Sequence, residues 1–203
     1  MNTERPIAIA ITGASGSHYA LRLIEQLVGR DRELWIMVSS AGQVVLRMEA
    51  GEEIPAAPRE AAAWLTRRYQ ARPGQIRVFG RNDWTAPLAS GSSPAAAMVV
   101  CPCTTGTLAA IASGQSLNLI DRAADVMLKE RRKLILVVRE TPFSAIHLKN
   151  MLHLAQAGAI VMPANPGFYH QPQSIADIID FMVARILDHL DIPHDLMARW
   201  GEP

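Results

Sequence analysis

Short runs of consecutive apolar residues recur along the chain: IAIAIT (7–12), LWIMVS (34–39), IRVFG (76–80), AMVVCP (97–102), LILVVR (134–139) and AIVMP (159–163). A strand written this way has no polar face to turn to water, so both of its faces must be covered. Between the runs the apolar period lengthens to that of a helix. Ala20, Leu21, Ile24, Leu27 and Val28 make one stripe, and Ile120, Ala123, Ala124, Met127 and Leu128 a second. Ile175, Ile178, Ile179, Met182, Val183, Ile186, Leu187 and Leu190 make the longest. Each stripe is expected to face the sheet. Strands alternating with such helices predict an α/β fold, a six-stranded parallel sheet between two helical layers.

With 203 residues, 49% of them hydrophobic, the chain can fill a sizeable core. No repeat, low-complexity tract or charge block marks a second unit, so a single domain over 1–203 is expected. The 20 basic and 19 acidic side chains, a formal net charge of +1, leave no broad field for nucleic acid or an anionic membrane. Any anion must therefore be held by a local cluster. The N-terminal apolar run ends at Gly13, short of a signal core or a membrane span, and a cytoplasmic location is expected. Cys101 and Cys103 flank a single proline, too close for an unstrained disulfide, and reduced thiols are expected.

Thr12-Gly13-Ala14-Ser15-Gly16-Ser17 joins the first strand to the first helix. Its glycines allow a tight turn and a close backbone approach, and the N–H groups of the helix start then face an anion such as a phosphate. The spacing is not GxGxxG, and the second strand ends in Val38-Ser39-Ser40 without the acid that a dinucleotide ribose requires. Those two features favour a mononucleotide over NAD; a plain βα turn with a serine cap is the other reading. Thr104, Thr105, Gly106 and Thr107 follow Cys103 where a strand gives way to a helix, a second place where hydroxyls and free amides converge. The cysteines themselves read as packing, since a zinc site needs about four well-spaced Cys or His ligands.

Arg122, Asp125 and Lys129, spaced by three and four, share a helix face, either as a solvated face with an Asp125–Lys129 pair or as part of a site. Arg139-Glu140 ends the next strand, where open α/β sheets bind ligands; a surface ion pair is the alternative. Two loops are long and rich in Gly, Pro, Asn and Ser: 80–95, GRNDWTAPLASGSSPA, and 163–174, PANPGFYHQPQS.

Taken in order, TGASGS, GRNDWTAPLASGSSP, CPCTTGTLAAIASG, NLIDRAADVMLKERRKLILVVRETPFSAIHLKNM and MPANPGFYHQPQSI closely resemble the UbiX-type flavin prenyltransferases, the phenylacrylate-decarboxylase-like flavoproteins, along essentially the whole chain. The resemblance implies a Rossmann-like three-layer α/β/α fold and a homododecamer with sites between subunits. It implies that Gly13, Ala14, Ser15, Ser39, Thr104, Thr105, Gly106, Thr107 and Arg139 bind FMN. Dimethylallyl monophosphate would be held by Arg122, Lys129, Tyr169 and Arg185, some of them from an adjacent subunit. Glu140 matches the family's catalytic glutamate, and Ser15 and Glu49 match residues near its proton path, with Lys129 also in the catalytic set. Thr104 stands where the family usually has Ser, and keeps the hydroxyl.

The implied reaction joins the allylic C1 to N5 of reduced FMN, then closes a ring onto C6, giving prenylated FMN for UbiD-type decarboxylases. Arg122, Lys129 and Arg185 would stabilise the leaving phosphate without a metal ion, and Trp84, Tyr169 or Trp200 the allylic cation. The loops at 80–95 and 163–174 and the Trp200 tail would keep water out. Two other functions fit parts of this set. One is a flavin-dependent decarboxylase acting directly on an aromatic acid or cysteine derivative; the related flavoproteins that oxidise peptidyl or pantothenoyl cysteine use an early histidine, and His18 is the only one here. An FMN carrier would need the flavin cradle but not Lys129, Glu140 and Arg185 together.

Overall fold

Every apolar run is a strand. The structure, a computed structural model, describes residues 5–198 and 201. The strands are β1 (Ile7–Ile11), β2 (Leu34–Val38), β3 (Ile76–Phe79), β4 (Ala97–Cys103), β5 (Lys133–Val138) and β6 (Ile160–Pro163). The α-helices are α1 (Ser17–Val28), α2 (Ser40–Ala50), α3 (Pro58–Tyr69), α4 (Thr105–Ala112), α5 (Leu119–Lys129), α6 (Ala145–Gln156) and α7 (Ile175–His189). All strand pairs are parallel, in the order β3-β2-β1-β4-β5-β6, with Ile9 level with Ile36 on one side and Val99 on the other.

The two faces of the sheet carry two cores. Ile7, Ile9, Ile11 and Val99 pack with Ile24 of α1, Leu65 of α3, and Val183 and Ile186 of α7. Ala8, Ala10, Met98 and Leu136 pack on the opposite face with Leu108 of α4, Ala124 of α5 and Leu154 of α6. A register shift between Val100 and Cys103 interrupts the regular pairing of β4 with β5. Cys101 enters the first core and Cys103 the second, although they are two residues apart.

The longest apolar stripe departs from expectation at its start. Met182, Val183, Ile186, Leu187 and Leu190 are buried, but Ile175 is 77% exposed, because the first turn of α7 lies outside the core. Helix α6 shows no apolar stripe in the sequence for a related reason: it buries only Leu154 and leaves Ile146, Leu148 and Leu152 exposed. The 80–95 loop is not a free cover either. It contains a 3-10 turn at Pro87–Ala89, buries Ala86 and Leu88, and is tied to α5 where Leu119 N–H donates to Arg81 O at 2.8 Å. Among the described residues no helix is long and apolar enough to cross a membrane.

From β1 the chain builds the sheet outward through β2 and β3, and from β4 in the other direction through β5 and β6, so the crossovers diverge between β1 and β4. This is the topological switch point, where the carboxyl ends of the strands open a crevice. Thr12, 2% exposed, spans it. Its hydroxyl donates to Pro102 O at 2.7 Å and accepts from Thr104 N–H at 2.9 Å, and its own N–H donates to Pro102 O at 3.2 Å. Thr12→Val keeps the shape but strands the Thr104 amide, a loss of about 2 kcal/mol. For a chain of this size that corresponds to a melting temperature lower by roughly 4–8 °C, measurable by calorimetry.

Candidate active site

Hydrogen bonds that continue the sheet beyond the strand ends set four loops side by side. Ser39 N–H donates to Ile11 O at 3.0 Å, Thr12 bridges to Pro102 and Thr104, Arg139 N–H donates to Cys103 O at 3.3 Å, and Ala164 N–H donates to Val138 O at 2.9 Å. The crest so formed brings together the Gly13–Ser15 turn, Ser39, the Thr104–Thr107 segment and Arg139-Glu140. These are the residues expected around FMN and its catalytic glutamate.

The two helix N-termini on this crest differ in what they already hold. Helix α1 begins after Gly16 in the left-handed region, φ 107°, where a Cβ would lie 2.8 Å from the Tyr19 ring. No side chain of the turn caps it. Instead the Glu49 carboxylate, from the end of α2, accepts from Gly16 N–H at 3.0 Å, Ser17 N–H at 2.9 Å and Ser17 Oγ at 2.8 Å. Burial pushes the Glu49 pKa up, but the hydrogen bonds from Ser15, Ser17 and Gly16 outweigh it and hold the carboxyl below its ordinary value. The anion position of α1 is thus taken by the protein's own carboxylate. Gly13 has a packing reason as well: a Cβ there would lie 2.4 Å from Ala41 Cβ, where α2 comes close.

Helix α4 is open by comparison. Thr104 caps it, its Oγ1 accepting from Thr107 N–H at 3.0 Å and lying 2.9 Å from Thr107 Oγ1. The amides of Thr105 and Gly106 have no partner among the described residues, and Gly106 is exposed. Arg139 is exposed beside them, and Glu140 is half-buried with Oε1 accepting from Thr141 N–H at 3.0 Å. Among the described residues no ion pair joins Arg139 to Glu140, so a surface ion pair is not what this strand end forms. Ser39 performs the same capping task for α2, accepting from Gly42 N–H at 3.0 Å.

Cys101 and Cys103 are fully buried, and burial pushes both thiols up, Cys103 to about 12 and Cys101 further. Neither is poised as a thiolate, so the pair is packing.

The residues expected at the allylic phosphate divide into two groups. On α5, Arg122 Nε donates to Ala89 O at 3.0 Å and its Nη1 pairs with Asp125 at 2.8 Å, while Lys129 pairs with Glu130. The expected Asp125–Lys129 pair is replaced by these two. Loop 80–95 passes so close to Lys129 that a Cβ on Gly91 would lie 2.6 Å from its Nζ. Tyr169 and Arg185 instead line a cavity of about 700 Å³ with His170, Phe181, Asp188 and Met197. Because α5 belongs to one core and α7 to the other, the sheet separates the two groups within a chain. Trp84 is 49% exposed, and Trp200 lies outside the described residues. His18 is exposed and lines a groove with Arg22 and Arg68.

Sequence reading named Thr12 only as the last residue of an apolar run and the first of the glycine turn, and passed over Tyr19, Gly91, Asp188 and His194. Thr12 had a signal, a hydroxyl closing an otherwise apolar strand; the others depend on neighbours brought close only by folding.

An open all-parallel sheet with a helix N-terminus free at its switch point defines a nucleotide-binding α/β protein. The sequence profile of the Flavoprotein family matches residues 1–187. A flavin prenyltransferase UbiX of Pseudomonas aeruginosa is 57% identical over 202 residues, covering 100% of this chain and 97% of the relative. The crystal structure of AnUbiX in complex with FMN and dimethylallyl pyrophosphate superposes with a TM-score of 0.86 at 40% identity, over 98% of each chain. A dodecameric FMN-dependent UbiX-like decarboxylase from Escherichia coli O157:H7 superposes with a TM-score of 0.85 at 35% identity, over 97% of this chain and 100% of that one. The chain belongs to the flavoprotein family, among its flavin prenyltransferase UbiX members.

The depressed pKa of Glu49 has a consequence for stability. A carboxyl with a lower pKa in the folded state stabilises the fold above its unfolded value, near 4.5, and loses that contribution as pH falls through the folded value. Glu49→Gln is expected to lower the urea midpoint at pH 7. The gap to wild type should narrow as the pH drops below about 4.

Proposed function

We propose that this chain is a flavin prenyltransferase that joins the dimethylallyl unit of dimethylallyl monophosphate to reduced FMN and passes prenylated FMN to a UbiD-type decarboxylase. The full-length identity of 57% to a flavin prenyltransferase carries the reading. The allylic C–O bond breaks with its electron pair on the departing phosphate. C1 of the allyl unit bonds N5, which gives up its proton; the remaining C=C double bond then takes a proton at C2 as C3 bonds flavin C6, and C6 releases its proton.

The crest supports this chemistry residue by residue. The open amides of Thr105 and Gly106, the hydroxyls of Thr104 and Thr107, and the Arg139 guanidinium fit a phosphate monoester, the head group of FMN. Gly13, Ala14, Ser15 and Ser39 complete that wall. With Oε1 tied to Thr141, Glu140 has its second oxygen available to take the proton lost at C6. Ser15 and Glu49, hydrogen-bonded to each other, offer a route for that proton away from the flavin.

Arg122 and Lys129 of one subunit would meet Tyr169 and Arg185 of another around the donor phosphate, which requires a homo-oligomer; a dodecamer is proposed. Three cations are enough to hold the charge of a monophosphate without a metal ion. Neither a direct decarboxylase nor a carrier would have a use for the donor cations.

Anaerobic incubation of the protein with reduced FMN and dimethylallyl monophosphate is expected to add one five-carbon unit to the extracted flavin, read by mass spectrometry. An unchanged flavin, with intact donor and protein, would overturn the reading. Glu140→Gln is expected to lower kcat for the finished product by roughly 100-fold or more while the donor KM changes little.

A further inference from the structure

The polar wall of the cavity at Arg185 is built by two residues without a part in the reaction so far. Arg185 Nη1 donates to Asp188 Oδ2 at 2.6 Å. The other oxygen of the same carboxylate, Oδ1, lies 3.1 Å from His194 Nε2. An ionised carboxylate can only accept, so the imidazole nitrogen facing it carries the proton. His194 is 4% exposed at its side chain, Asp188 33% and Arg185 49%, so the chain of contacts runs from a buried ring outward to a half-exposed guanidinium.

His194 lies beyond the end of α7, on a tail secured where Arg30 Nε donates to Pro193 O at 2.9 Å. Its other ring nitrogen, Nδ1, is buried with no partner among the described residues. A buried imidazole with one nitrogen unsatisfied is a costly way to fill space, and an apolar side chain would pack there without that cost. What the imidazole supplies is the N–H to Asp188. Without it, a carboxylate three residues along the helix from Arg185 can rotate and take the guanidinium with it. With Oδ1 held, Oδ2 fixes Nη1, and Nε and Nη2 of Arg185 keep no partner among the described residues. A guanidinium ordered before its ligand arrives loses less freedom on binding.

We propose that Asp188 and His194 are positioning residues for Arg185: His194 fixes Asp188, and Asp188 fixes the guanidinium so that its remaining N–H groups serve the phosphate of the allylic donor. This rests on the prenyl-transfer reading, which wild-type turnover tests separately; absence of turnover refutes that reading whatever the relay does.

The test is steady-state turnover of the assembled enzyme with reduced FMN and varied dimethylallyl monophosphate. His194→Ala is expected to raise the donor KM about fivefold, with kcat within about twofold of wild type and FMN affinity unchanged. His194→Gln, which can return an N–H to Asp188, should recover most of the loss. In an Arg185→Ala background the His194→Ala change should have no further effect on the donor, a double-mutant cycle that a role in tail folding alone would not reproduce. An unchanged donor KM in His194→Ala, or the same rise persisting in the Arg185→Ala background, overturns the relay. Should His194→Ala fail to fold, Asp188→Ala carries the same expectation and the same refutation.

Discussion

The hydroxyl of Thr12 closes the one seam that the strand order leaves open. Between β1 and β4 the two halves of the sheet grow apart, and the crossovers on either side pull their loops in opposite directions. A buried side chain that donates to Pro102 O and accepts from the Thr104 amide fixes the distance across that seam. The start of α4, the Gly13–Ser15 turn and, through the next strand end, Arg139-Glu140 all take their positions from it. A ligand crevice at a switch point is a consequence of topology; its width here is set by this side chain.

Two helix N-termini beside the seam have the same intrinsic attraction for negative charge, yet only one is left for a ligand. Glu49 satisfies the amides at the start of α1, and in doing so ties the far end of α2 to the first turn of α1. The carboxylate is stabilised there by the same groups that would otherwise stabilise a phosphate. Helix α4, capped by Thr104 with two amides to spare, remains the place for an added anion. With Glu49 held at α1, an anion arriving at α4 would not compete with it for the same amides, and the arrangement puts a carboxylate next to the Ser15 hydroxyl.

The cations suited to the allylic phosphate sit in different layers. Arg122 and Lys129 belong to α5, and Arg185 to α7, with the sheet between them. Each cation is already near a carboxylate, Asp125, Glu130 or Asp188, which keeps it oriented until a phosphate competes for it. In the proposed reading, a second chain would bring such separated residues to one ligand.

Much of this molecule was legible from its residues alone. The apolar runs located all six strands, and their lack of a polar face required helices on both sides. The Thr-rich segment after Cys103 and the Arg139-Glu140 pair were recognisable because strand ends and helix starts are local events, written in adjacent residues. Other features could not be read that way. The cap of α1 comes from Glu49, 33 residues from Gly16; Asp188 turns to His194 across the end of a helix; Cys101 and Cys103 part company where the register of β4 shifts. Hydrophobic period and capping chemistry act over a few residues, so the sequence by itself determined the elements, their layering and the candidate anion cradles. Which cradle stays open, which carboxylate each arginine meets and which cations share a face depend on strand order and register, and those were decided only when the whole sheet packed.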